Sequence, residues 1–138
     1  MKELELIGDA RTCSSAFFVR EGMILLGLRH YTPDKWKAIS VWTTPGGRCD
    51  EGEVLGQNLI RETNEETGIQ NFSVKKYLGN YSGAKEGDIV HVFHCETDQE
   101  ARLMEPENFS EWKWFPIGML PENTISPHIK RMLNLLIQ

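Results

Sequence analysis

Three glutamates crowd into one short stretch of the chain, which reads RETNEETG from Arg61 to Gly68. From about Val54 to Thr67 the sequence has the apolar spacing of an amphipathic helix, and Gly68 is a typical helix-ending residue. Like charges three or four positions apart on a helix destabilise it by about 0.2–0.5 kcal/mol per pair. Carboxylates close to a helix C-terminus are also disfavoured by the helix dipole. The stretch therefore predicts a helix whose acidic end is either well solvated or offset by a positive charge.

A helical projection places these glutamates beside the apolar face of the predicted helix. The residues predicted to pack against a sheet are Leu55, Gly56, Leu59, Ile60 and Thr63. Glu62, Glu65 and Glu66 share an adjoining arc of roughly 100°. Two interpretations stay open on charge pattern alone. The stripe is either an ordinary solvated face, or a set of oxygen ligands for Mg²⁺ or Mn²⁺, which bind few protein carboxylates and leave positions for substrate phosphates.

The remainder of the chain is rich in strand patterns. CSSAFFVREGMILLGLRH predicts a hairpin that turns at Glu21-Gly22, and YTPDKWKA predicts a loop. Further strands are predicted in ISVWTT, FSVKKYLGNYSG, DIVHVFHCET and EWKWFP. SPHIKRMLNLLI predicts a second amphipathic helix, with Ser126 as its N-cap and Pro127 at its first position. Strands around two well-separated helices, with no repeat or linker, predict one α+β or layered α/β domain over residues 1–138.

Charge and composition limit the classes of partner. The 138 residues carry 15 basic and 20 acidic side chains, a net charge of −5, which disfavours general nucleic-acid binding. A phosphorylated small molecule remains compatible, since a bound cation inverts the local field. Three widely spaced cysteines without a CxxC pair predict neither a zinc site nor a disulfide framework. No signal-peptide core or membrane-length apolar run is present, so we expect a cytoplasmic protein with no membrane partner.

The acidic stretch is part of a longer pattern, GRCDEGEVLGQNLIRETNEETGI, which covers residues 47–69. It resembles the Nudix box, in which a glycine, five residues, a glutamate and seven residues precede REUXEEXGU, with U a bulky aliphatic. Eight of the nine constrained positions match, and the exception is Thr63, where an aliphatic residue is usual. The resemblance is to the Nudix (MutT-type) hydrolase family. It implies an α/β/α sandwich around a mixed β-sheet, in which the box forms a loop, a helix and a second loop.

The resemblance also implies an activity and a metal. Nudix enzymes hydrolyse a nucleoside diphosphate linked to another group, by attack of water on phosphorus with the help of Mg²⁺, for which Mn²⁺ can substitute. By position in the box, Glu65 and Glu66 are expected metal ligands, with the Gly46 carbonyl as an additional one. Glu62 is expected to be the general base or a further ligand.

Two other box residues are expected to support the reaction. Arg61 and Glu53 should hold the loop and the helix together, and Glu53 is able to reach the metal through water. A later stretch, LMEPENFSEW, is a second place where family members carry a base or a ligand. The candidates there are Glu105, Glu107 and Glu111, and the alternative is that they are ordinary surface acids.

The substrate is less constrained than the reaction. The stretch LMEPENFSEWKWFPIGMLP resembles the C-terminal region of small Nudix enzymes that cleave nucleoside triphosphates, including oxidised or modified purine nucleotides. We therefore expect a triphosphate to be cut to monophosphate and pyrophosphate. The alternatives are a nucleotide sugar, ADP-ribose or a dinucleoside polyphosphate, or a nucleotide-sensing domain without turnover. No substrate-binding residue is assigned, and a homodimer is left open.

Overall fold

A computed structural model describes residues 1–30, 40–83, 85–124 and 127–137. Its elements in chain order are a 3₁₀ helix (Lys2–Glu5), β1 (Thr12–Arg20), β2 (Met23–Arg29), β3 (Val41–Thr43), β4 (Gly46–Arg48), α1 (Leu55–Thr67), β5 (Ser73–Ser82), β6 (Ile89–Glu96), β7 (Phe109–Pro116) and α2 (Pro127–Ile137). The predicted loop YTPDKWKA and the predicted cap Ser126 lie outside the described residues.

The described strands form one mixed sheet. Its main order is β3-β2-β1-β6-β5, with β4 paired to β1 and β7 paired to β2. Strands β1 and β6 run parallel, whereas the other pairs are antiparallel. The predicted hairpin is β1–β2, and its turn residues Glu21 and Gly22 both have positive φ, at 51° and 77°.

Each face of the sheet carries one helix, which confirms the predicted α/β/α sandwich. Beneath α1 the buried cluster consists of Ala16, Phe18, Leu25, Cys49, Leu55, Leu59, Ile69, Phe93 and Cys95. On the opposite face, α2 contributes to a cluster of Phe17, Ile24, Leu26, Leu78, Val92, Ile129, Met132 and Leu133. Within the described ranges, neither helix is long and apolar enough to cross a membrane.

The predicted buried face of α1 is wrong at one position. Ile60 is 56% exposed, whereas Asn58 and Glu66 are buried. The reason is a polar anchor: Ser14 on β1 donates a 2.5 Å hydrogen bond from Oγ to Oδ1 of Asn58. This contact draws the Asn58 side of the helix onto the sheet, so Ile60 faces solvent. The same orientation carries the acidic stripe inward.

A partly buried ion pair joins β4 to the residue that precedes β6. Arg48 donates two hydrogen bonds to Asp88, from Nη1 to Oδ1 at 2.6 Å and from Nη2 to Oδ2 at 2.8 Å. The Asp88 side chain is 2% exposed. These bonds from Arg48 are the main reason that the pKa of Asp88 is lowered from its ordinary value of 3.8. Strand β4 is therefore fixed from both sides, by β1 and by this pair.

We expect Asp88→Asn to lower the free energy of unfolding by about 1–3 kcal/mol at neutral pH, since a neutral amide cannot accept both hydrogen bonds from the Arg48 guanidinium. A carboxyl whose pKa is lowered by folding stabilises the protein above its unfolded pKa, and the stabilisation is lost as pH falls through the folded pKa. The difference between wild type and variant should thus be constant near neutrality and shrink below about pH 4. Urea titrations from pH 3 to 8 would check this, and a difference independent of pH would contradict it.

Candidate active site

The glycines at β4 bring the backbone up against the acidic end of α1. Gly46 pairs with Ser15 and Gly47 with Ser14 of β1. Gly46 has a φ of 145°, and a Cβ there would collide with the Ser14 carbonyl, so only glycine fits. Its N–H donates a 2.8 Å hydrogen bond to Oε1 of Glu66. The glycine pair thus presents main-chain atoms to a buried carboxylate.

Glu62 occupies the space beside the second glycine. A Cβ on Gly47 would lie 2.5 Å from Cδ of Glu62, and 2.6 and 2.8 Å from its two carboxylate oxygens. The Glu62 side chain is 18% exposed. The absence of a side chain at Gly47 is therefore what lets the carboxylate rest directly on the strand.

Burial raises the pKa of both inner carboxyls. For Glu66, which is 5% exposed, the pKa is well above its ordinary value, chiefly through burial and in part through the nearby Glu62. For Glu62 the pKa is raised to about 7, again chiefly by burial, against the opposing charge of Arg61. Two carboxylates held in a low-dielectric site favour whatever positive charge can reach them.

Arg61 links the box loop to the helix. Its guanidinium bonds Glu53 through two nitrogens, from Nε to Oε2 at 2.8 Å and from Nη2 to Oε1 at 2.9 Å. It also donates from Nη1 to Glu62 and to Glu65, each at 3.2 Å. The bonds from Arg61 are the largest cause that lowers the pKa of Glu53, to about 2. Glu53 is therefore a fixed anion that orients Arg61, and Arg61 in turn contacts two of the three clustered acids.

Of the three later acids, one lies at this site. Glu105 is close enough to contribute to the raised pKa of both Glu62 and Glu66. Its Oε1 accepts a hydrogen bond from Asn108 at 3.4 Å. Glu107 and Glu111 are exposed. Glu105 is therefore near enough for its charge to act on the box acids, while the roles of Glu107 and Glu111 stay predictions.

Two residues outside the box also interact with Glu66, one through its charge and the other through a hydrogen bond. The guanidinium of Arg29, at the end of β2, lies 5.5 Å from the ring centroid of Phe109 and counters part of the rise in the Glu66 pKa. Trp112 donates from Nε1 to the Glu66 carbonyl at 3.1 Å. The sequence indicated neither contact, because both arise from the pairing of β2 with β7, far from the box along the chain. Trp42 and Trp114, like Trp112, are half-buried.

The donor set fits a hard divalent cation in its chemistry. Across the described ranges, no three acidic, histidine or cysteine side chains already converge as a metal-binding group. Glu66 nevertheless offers a buried carboxylate that accepts a hydrogen bond from Gly46, and Glu62 offers a second. Glu65 is 45% exposed and reaches Arg61 from the next turn, so its side chain has room to reorient. Oxygen donors with excess negative charge suit Mg²⁺ and Mn²⁺.

Thr63 is the one box position that departs from the Nudix pattern, and its burial has a consequence for the stability of the protein. It is fully buried, and among the side chains that the structure describes its hydroxyl is the one buried polar group without a hydrogen-bond partner. By contrast, Thr67 Oγ1 donates to the Thr63 carbonyl at 2.6 Å and accepts from the Ile69 N–H at 3.1 Å.

We expect Thr63→Val to raise the free energy of unfolding by about 1 kcal/mol, since valine keeps the shape and removes an unsatisfied buried hydroxyl. Thr67→Val is the matched control and should lower it by about 1–2 kcal/mol, because its hydroxyl makes two hydrogen bonds. Urea unfolding of the three proteins would measure both changes. Equal or lower stability of Thr63→Val would contradict the assignment.

Comparisons with known proteins give the family. Residues 10–136 match the NUDIX domain. A Bacillus subtilis (strain 168) protein provisionally named 8-oxo-dGTP diphosphatase is 32% identical over 100 residues, covering 72% of this chain and 66% of that protein. An RNA pyrophosphohydrolase of Wolbachia pipientis wMel is 30% identical over 130 residues, covering 79% and 75%.

A solved structure of a protein from the same family has a similar fold. The crystal structure of a MutT NUDIX hydrolase from Burkholderia pseudomallei superposes with a TM-score of 0.71 at 26% identity, covering 90% of this chain and 95% of that one. The match of nearly the whole chain to the family, together with the box glutamates gathered on α1 beneath the β4 glycines, shows that the chain belongs to the NUDIX family as a MutT-type Nudix hydrolase.

Proposed function

We propose that this Nudix hydrolase acts on the phosphoanhydride of a nucleotide, with Mg²⁺, and converts a nucleoside triphosphate to the monophosphate and pyrophosphate. One observation carries the proposal: the buried carboxylate of Glu66 and the partly buried carboxylate of Glu62 are both held against the glycine backbone of β4. Burying two like charges beside each other is costly unless a cation is part of the working site.

The metal would be held by Glu62, Glu65, Glu66 and the Gly46 carbonyl. When bound, Mg²⁺ would neutralise phosphate oxygens and make a coordinated water more acidic. Manganese should substitute, because it prefers the same oxygen donors. Zinc, which favours nitrogen and sulfur ligands in a tetrahedral arrangement, should serve poorly.

The protein's own groups have distinct parts in this proposal. Glu62 or Glu105 takes the proton from the attacking water, since both carboxylates lie in the cluster. Arg29 supplies a guanidinium near Glu66, where it can bind a phosphate oxygen of the substrate. Arg61, fixed by Glu53, limits the movement of Glu62 and Glu65. Phosphoryl transfer depends mainly on such positioning and charge neutralisation.

The choice of a triphosphate is supported by the relatives. One is provisionally named 8-oxo-dGTP diphosphatase and others are named RNA pyrophosphohydrolase. A mononucleotide that is a nucleoside triphosphate and the 5′ end of a triphosphorylated RNA present the same triphosphate group, so the RNA end is the second candidate substrate. The net charge of −5 favours the mononucleotide, since RNA beyond its first nucleotides needs basic surface.

A substrate panel tests the proposal. The protein would be incubated with Mg²⁺ and one of five kinds of substrate: a canonical nucleoside triphosphate, 8-oxo-dGTP, a 5′-triphosphate RNA oligonucleotide, ADP-ribose or diadenosine tetraphosphate. Products would be identified by mass. We expect nucleoside monophosphate and pyrophosphate from a free triphosphate, with activity abolished by EDTA and restored by Mg²⁺ or Mn²⁺.

The other outcomes are equally informative. Preference for the RNA end would replace the first candidate with the second. AMP and a sugar phosphate from ADP-ribose would move the assignment to the nucleotide-sugar class. Turnover that persists in chelator would contradict the metal site, and binding of nucleotides without hydrolysis would indicate a sensing domain.

A further inference from the structure

A segment ahead of the family match lies across the start of the box helix. We call residues 4–8 the N-terminal strap. The match to the NUDIX domain begins at residue 10, so the strap is outside it. The Leu6 carbonyl accepts the Leu55 N–H at 2.8 Å, and the Gly8 N–H donates to the Glu53 carbonyl at 2.8 Å. Ile7 and Val54 form the antiparallel bridge between these two bonds.

The strap provides a hydrogen-bond acceptor for the first turn of α1, which has no side-chain cap. Val54 is the N-cap of α1 and makes no side-chain capping bond. Since the first N–H groups of a helix have no partner within it, the Leu6 carbonyl acts as the cap for Leu55. A third backbone bond, from the Gly52 N–H to the Gly8 carbonyl at 3.0 Å, extends the contact into the box loop.

Side-chain packing fixes the strap in place. Leu4 packs against the buried cluster beneath α1. On the helix, a Cβ at Gly56 would lie 3.0 Å from the Leu4 carbonyl oxygen and 3.3 Å from the Leu4 Cβ. The strap therefore approaches α1 as closely as a glycine allows. Ile7, by contrast, is 74% exposed.

Glu53 lies between the strap and the acidic cluster. Its main chain is bonded by Gly8, and its carboxylate bonds the Arg61 guanidinium through two nitrogens. Arg61 then contacts Glu62 and Glu65. A side chain that orients another is only as well placed as its own backbone, and displacement of a catalytic group by about 1 Å can cost up to about a hundredfold in rate.

We propose that the N-terminal strap is a positioning element of the active site, which holds the backbone of Glu53 and thereby sets, through Arg61, where Glu62 and Glu65 stand. The proposal rests on the proposed function for its effect on rate. Its physical basis, the connection from strap to Arg61, does not require turnover and can be measured without it.

The first test is Leu4→Ala, with Ile7→Ala as the matched control. Leu4→Ala should lower kcat by about threefold to tenfold with KM changed less than about twofold, because the strap orients the acidic side chains and not the groups that bind the nucleotide. Direct titration with Mn²⁺, followed by electron paramagnetic resonance, should show weaker binding. Leu4→Met should restore both values. Ile7→Ala removes only a solvent-facing side chain and should leave both unchanged.

The second test is independent of activity. The Arg61 Nε–H proton, observed by NMR in EDTA without substrate, should exchange with solvent faster in Leu4→Ala than in wild type. Gly56→Ala covers the case in which Leu4→Ala does not fold. Alanine favours helix more than glycine does, yet its Cβ requires the strap to shift by a few tenths of an ångström. Faster Arg61 exchange and lower kcat in this variant would support the proposal.

Wild-type Arg61 exchange in folded Leu4→Ala and Gly56→Ala would overturn it, whatever the substrate proves to be. Unchanged kcat and Mn²⁺ affinity in an active enzyme would do the same. If the wild-type protein hydrolyses no nucleotide in the panel, the proposed function fails, while the exchange measurement still decides whether the strap positions Arg61.

Discussion

Glu66→Gln is expected to lower kcat by at least about a hundredfold while the fold survives, as loss of a metal ligand would require. Glutamine has the same shape and can still accept the hydrogen bond from the Gly46 N–H. In chelator at neutral pH the variant should be at least as stable as wild type. The reason is that burial raises the pKa of Glu66, so the ionised side chain is disfavoured in the folded protein, and glutamine carries no charge.

Glu62→Gln should show a similar loss of rate, whether Glu62 acts as a ligand or as the base. The matched control is Glu122→Gln, an exposed acid far from the cluster in sequence, which should change neither rate nor stability. Steady-state kinetics with Mg²⁺ and urea unfolding in EDTA would measure both properties. Near wild-type kcat in Glu62→Gln and Glu66→Gln would sink the assignment of the site.

Gly47→Ala is expected to have the second largest effect, a fall in kcat of about ten- to a hundredfold with the fold retained. The added methyl group would lie 2.5 Å from Cδ of Glu62, so that carboxylate has to leave the strand. The clash is with the far end of a flexible side chain, which can rotate away at little cost to stability. The variant keeps the Glu62 carboxylate and changes only where it lies, so it tests the position of this group apart from its chemical role.

Gly118→Ala is the control, since a Cβ there has no atom within 4 Å. Kinetics and thermal unfolding should show that Gly118→Ala has the kcat and the melting temperature of the wild type. The interpretation would fail if Gly47→Ala kept full activity, because Glu62 would then work from elsewhere. Unfolding of Gly47→Ala would show instead that the contact with Glu62 is rigid.

The two glutamate variants test α1, which the sequence predicts. The glycine variant tests β4, which the sequence does not predict. The helix was predicted over about Val54 to Thr67 and is found over Leu55–Thr67, because its apolar spacing and its stop, Gly68 with a φ of 75°, are local signals. Strand β4 gave no such signal. Gly46 and Gly47 have little strand propensity, and their pairing is imposed by Ser14 and Ser15 of β1.

Which face of α1 is buried was likewise not decided by local pattern. The apolar spacing favoured Ile60, but the hydrogen bond between Ser14 and Asn58 turned the helix toward its acidic side. A polar residue that is satisfied by a distant partner looks, in sequence, like any solvent-facing residue. Its burial depends on a contact between elements far apart in the chain.

The sequence by itself determined the box, the family resemblance, the mixed α+β fold and the placing of Glu62, Glu65 and Glu66 as neighbours on one helix. These follow from spacing within a short segment, where helix geometry fixes which residues are neighbours. Only the tertiary structure decided that Glu66 is buried, that the charge of Glu105 acts on Glu62 and Glu66, and that the N-terminal strap reaches Glu53. Each of these depends on packing between distant segments, which no local pattern encodes.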